Sequence, residues 1–162
     1  MIAHRSGMLM TALIVLASPA YAGSPMLSEG CGAGGRILTR YDPSATRQFA
    51  EARRNGGTIT IFVNPERYFL GQRTQQWLYQ RQCVHVQGNH AVVNSGRDLR
   101  LEDEVQADCQ ALRQMLMTND QGSSKTLRIS IEGDMERVLR EGRWSQVLPG
   151  PQRKVLFDRC PG

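Results

Sequence analysis

Four side chains have the types and spacing to do chemistry together: Arg81 with His85, and Glu104 with Asp108. Each pair is one helical turn apart. A histidine can ligate a metal or move a proton, and a carboxylate can hold a metal, a proton or a guanidinium. On a helical wheel Trp77, Leu78, Arg81, Val84, His85 and Gly88 share one face, and Leu101, Glu104, Val105, Asp108 and Leu112 share another. Both faces are apolar stripes interrupted by charge. Burying charge is costly unless it is paired. The expectation is that the two helices pack face to face, with Arg81 bonded to Glu104 and His85 beside Asp108 or Glu104.

The elements that must hold these groups follow from periodicity and punctuation. Arg36 to Arg40 reads as a short strand. Pro43 to Arg54 reads as a helix capped by Ser44 or Thr46, broken by Asn55-Gly56-Gly57. Thr58 to Val63 is β-branched and aromatic, a strand ended by Asn64-Pro65. Long helices are expected over Gln72–Gln87, stopped by Gly88-Asn89, and over 101–117. Leu127 to Ile131 reads as extended, Asp134 to Glu141 as a third helix, and Pro149-Gly150-Pro151 as a turn. This is an α+β domain, a small sheet on two central helices plus a C-terminal helix. Trp77, Tyr68, Phe69 and Tyr79 are expected in and near the core rather than lining a peptide groove.

The two helices also carry short motifs, Q-R-Q-C-V-H at 80–85 and E-V-Q-A-D-C at 104–109. They resemble a group of small exported bacterial zinc-peptidase-like proteins with H-E-C-x-H followed by E-x-E-A-D-C. That pattern is similar to the gluzincin arrangement of the CAAX-prenyl-endopeptidase-like metallopeptidases. The strand 58–63 with Asn64-Pro65, and L-P-G-P-Q-R at 148–153 followed by Cys160, fit the same group. The resemblance implies a zincin-like fold. It places His85 at the second zinc histidine, Glu104 at the zinc glutamate and Asp108 at the aspartate that orients a ligand histidine. It also places Arg81 at the first zinc histidine and Gln82 at the catalytic glutamate.

Those two departures remove the chemistry. Arginine stays protonated and has no lone pair for a metal, and glutamine cannot serve as the base that activates a zinc-bound water. The implied reading is a degenerate site without catalytic residues, metal or other cofactor, in an exported pseudopeptidase with a binding, regulatory or structural role in the cell envelope. The alternative is an atypical zinc peptidase with an incomplete HExxH site, its metal on His85 and Glu104 with His90 or Asp108. His90, in the turn after the first long helix, is expected to be a surface residue.

Residues 1–22 read as an export signal. His4 and Arg5 precede a mostly apolar run from Gly7 to Ala17, and Ala20-Tyr21-Ala22 has the small-x-small form cleaved before Gly23. The run is shorter than the roughly 20 residues needed to span a bilayer, so a periplasmic or secreted protein without a transmembrane anchor is expected. The remainder, 23–162, is one domain, opening on a Gly/Ser/Pro-rich leader to Gly35. In the full sequence 20 Lys and Arg and 15 Asp and Glu give a net charge of +5, or +4 for 23–162 without Arg5, and they are interleaved without a basic block, which argues against a nucleic-acid partner and leaves a peptide or protein. Cys31, Cys83, Cys109 and Cys160 make an even count that reads as two disulfides in an exported chain. Three pairings are open. Cys83–Cys109 with Cys31–Cys160 is the expected one, locking the two helices in register and tying the ends of the domain.

Overall fold

The computed structural model describes residues 31, 37–67, 69–88, 100–118, 124–148 and 152–160. The expected export signal, most of the leader, Tyr68, His90 and the Pro149-Gly150-Pro151 turn lie outside the described residues. The architecture is α+β: a three-stranded sheet, three helices and two disulfides.

Strand β3 (Thr58–Val63) is central, flanked by β1 (Ile37–Tyr41) in parallel and β2 (Ala50–Asn55) in antiparallel pairing. Its alternation puts Ile61 and Val63 in the core and turns Phe62 to the other face, under the Arg53 guanidinium. Gly56-Gly57 makes the two-residue hairpin to β2, with Gly56 at φ 59 where a side chain would be strained.

The expected helix over Pro43–Arg54 does not form. Its second half is β2, whose alanines Ala50 and Ala52 point inward while Glu51 and Arg53 point out. Its first half is held as a loop by polar groups. Asp42 Oδ1 accepts from Ser44 N at 3.0 Å, and buried Asn64 donates to Thr46 O at 2.7 Å and Pro43 O at 3.3 Å. Short polar side chains of this kind offer the backbone an alternative to helical bonds.

Helix α1 (Gln72–Gln87) is buried over most of its circumference, with Arg73, Gln76 and Gln80 on its one partly exposed face. Three of its polar side chains find partners in three different elements. Tyr79 Oη bonds Thr39 Oγ1 on β1, Gln82 Nε2 donates to Ala50 O on β2 at 3.2 Å, and Trp77 Nε1 donates to the main-chain carbonyl of Asp108 at 3.2 Å. That carbonyl belongs to α2 (Leu101–Thr118), one residue longer than expected. Helix α3 (Ser124–Arg140) absorbs both the expected extended piece 127–131 and most of the expected third helix. Leu127, Ile131, Met135 and Val138 recur at helical period and are buried, and that stripe overrides the β-branched local signal. From α3, Asp134 caps the start of α1. Its Oδ2 accepts from Gly71 N at 2.8 Å and Thr74 Oγ1 at 2.7 Å, and its Oδ1 accepts from Arg137 at 2.8 Å.

The disulfides join Cys31 to Cys83 and Cys109 to Cys160, with Cα atoms 5.1 and 5.4 Å apart. The expected pairing is thus corrected. Cys83 is two residues from Arg81, about 200° round the helix, so it faces away from α2 when Arg81 faces toward it. It meets the leader instead, and Cys109 meets the C-terminal segment. Two disulfides and no free cysteine are consistent with an exported, oxidised protein. No described helix is long and apolar enough to cross a membrane.

Candidate functional site

The inward face of α2 is made by Glu104, Ala107, Asp108, Ala111, Leu112 and Met115, all buried. The expected stripe also included Leu101 and Val105, but these are 56% and 41% exposed. The helix is rotated so that Ala107 and Ala111 are buried beside Leu112, while Leu101 and Val105 are turned outward. Small side chains let the backbones approach, and this close seam carries the polar cluster.

Arg81 has none of its surface exposed, although it stays charged. Its Nε donates to Asp108 Oδ1 at 2.8 Å and its Nη2 donates to Glu104 Oε2, so one guanidinium spans two carboxylates on successive turns of α2. His85 Nε2 lies 3.7 Å from Glu104 Oε1. Gln82 does not join them: its amide donates to the sheet at Ala50 O. Among the residues singled out in sequence, Arg81, His85, Glu104 and Asp108 come together.

A fifth member, the last residue of the L-P-G-P-Q-R motif, had no role assigned from sequence. Arg153, from the extended segment before Phe157, places Nη2 on Asp108 Oδ2 and 3.8 Å from Glu104 Oε2. The cluster therefore matches two guanidiniums to two carboxylates. Arg153 falls in no periodic element, so no spacing rule pointed to it. What carries it there is its neighbourhood: Phe157 is buried edge-on against Trp77, with ring centres 5.5 Å apart, and Phe157 N donates to Glu132 at 2.8 Å.

Burial pushes the Glu104 carboxyl above the usual carboxylate range, while Arg81 and then Arg153 pull against it. Arg81 Nη1 is buried without a hydrogen-bond partner among the described residues. The zinc that the resemblance implies does not fit these side chains. His85 and Glu104 offer donors, but the third ligand position is a guanidinium, and Asp108 is held by both arginines. Among the described residues no three His, Cys, Asp or Glu side chains are grouped to hold a metal ion.

No protein-family model, curated protein or solved structure matches this chain. The likeness to zinc peptidases therefore rests on its own short motifs.

Proposed function

We propose that this chain is an exported, non-catalytic pseudopeptidase of zincin-like design, in which the Arg81 cation stands where a zinc ion would be, and that it serves as a binding, regulatory or structural domain of the cell envelope. The supporting observation is the wholly buried Arg81 guanidinium bonded to Glu104 and Asp108, two carboxylates whose motif positions match zinc-site residues. The Arg81 cation, with Arg153 supplying the second charge, balances those carboxylates without offering an open coordination position, which catalytic zinc requires. Gln82 supports the same reading: a neutral amide donating to a main-chain carbonyl has no proton-accepting role there.

The test is metal stoichiometry. Purified protein dialysed against zinc should hold well under one equivalent by elemental analysis, and Arg81→His with Gln82→Glu should gain zinc affinity in calorimetric titration. One tightly bound zinc in the unaltered protein, lost in His85→Ala, would overturn the proposal and return the atypical peptidase to first place.

A further inference from the structure

The rotation of α2 that buries Glu104 and Asp108 leaves a groove along its outer side. It is about 640 Å³ and is lined by one stripe of α2, where Leu101, Val105 and Cys109 are flanked by Glu102, Gln106, Gln110 and Arg113. It continues, past the same Leu101, Val105 and Cys109, into a narrower cleft of about 200 Å³ against the C-terminal segment. The larger part lies in the size range of ligand sites.

Three features of this groove are complementary to a peptide. Residues 152–155 belong to no helix or strand, and among the described residues their main-chain N–H and C=O groups enter no backbone hydrogen bond; the next carbonyl, Leu156 O, accepts from Arg159 N at 3.3 Å. Such a segment is a template for a second extended chain. Gln106 and Gln110, one turn apart, each offer both a donor and an acceptor. A hydrocarbon chain lying there would cover these amides unpaired, whereas a peptide backbone pairs them. The charged groups of the narrow end are Asp108, Arg153, Lys154 and Arg159; Arg153 is engaged with Asp108 and Lys154 with Glu136, which leaves Arg159 as the cation with no ion-pair partner among the described residues.

The geometry points to a docking site for an extended peptide with alternate apolar side chains over Leu101 and Val105 and a carboxylate, from an acidic side chain or a chain terminus, at Arg159. The wide part lies on the exposed flank of α2, and the narrow end adjoins the polar cluster at Asp108 and Arg153; the test below alters neither residue, so its failure would leave the Arg81 reading untouched.

The probe is a fluorescein-labelled hexapeptide with leucines at alternate positions and a C-terminal aspartate, read by fluorescence anisotropy on the full exported chain. Saturable binding is expected. Val105→Arg, at an exposed helix position, should weaken it at least tenfold, and Arg159→Glu, or the matching asparagine-amide peptide, about tenfold at low salt. Ile129→Arg, on the exposed side of α3, should leave it unchanged; circular dichroism verifies that each variant is folded. Absence of saturable binding, binding indifferent to both groove variants, or displacement of the peptide by laurate at lower concentration than by unlabelled peptide would each overturn the inference.

Discussion

Arg81 carries a full charge in a place where no solvent reaches it, and its stability contribution depends on what its partners would do alone. Both Glu104 and Asp108 are nearly as buried as the arginine. Arg81→Ala would strand two carboxylates with Arg153 as the one guanidinium beside them and His85 3.7 Å from Glu104, and it should cost about 3 kcal/mol or more in urea unfolding. Arg81→Ala with Glu104→Ala should cost less than the sum of the single changes, because the second change removes the charge that the first left unpaired. Additivity within experimental error would mean that Arg81 and Glu104 do not interact as drawn. The residue scale is also where sequence reading reached furthest. Charges that interrupt apolar stripes at matching places on two helices have one inexpensive solution, and helical period was enough to find it. Gln82 and Arg153 were not legible in the same way: the first turns to a sheet carbonyl and the second arrives from a segment without period.

At the scale of elements, α1 begins without a cap of its own. Gly71 has no side chain to supply one, so Asp134 reaches across from α3, and a Cβ on Gly71 would sit 2.9 Å from its Oδ2. Burial alone would raise the Asp134 carboxyl, but hydrogen bonds from Arg137, Thr74 and Gly71 N outweigh it and hold it below the ordinary 3.8. The native state therefore binds this proton more weakly than the unfolded chain does. The resulting stability is fully present above pH 3.8 and is lost as the pH falls through the lower native value. Asp134→Asn should lower stability near neutrality and flatten its decline at acid pH; parallel curves for the two proteins would refute the cap's role. The two misread elements show what local signals leave out. The segment 43–54 carries helix-compatible residues, yet its loop is fixed by Asn64, about twenty residues away. The segment 127–131, with its two isoleucines, reads as extended, yet Leu127 and Ile131 belong to a stripe that runs on to Val138.

For the whole molecule, the disulfides tie peripheral segments to central helices rather than helix to helix. Cys31–Cys83 fastens the leader to α1, and Cys109–Cys160 fastens the C-terminal segment, with Arg153 and Phe157, to α2. The bridged residues are 52 and 51 positions apart, and closing loops of that length is worth about 4 kcal/mol each in the chain-entropy account. Non-reducing peptide mapping should recover these two linked pairs. Cys109→Ser with Cys160→Ser should lower thermal stability and loosen the segment that brings Arg153 to Asp108, visible as faster amide exchange at 152–160; unchanged exchange there would show that Phe157 alone anchors it.

Sequence by itself determined the α+β class, the central strand, the two long helices to within a residue, and the meeting of Arg81 with Glu104, because each follows from spacing along a regular element or from the cost of stranding a charge. Only the tertiary structure decided which cysteines meet, which way α2 is rotated, and that a second arginine completes the cluster. Those outcomes depend on the direction a side chain takes round a helix already packed on three sides, and on a segment with no period of its own.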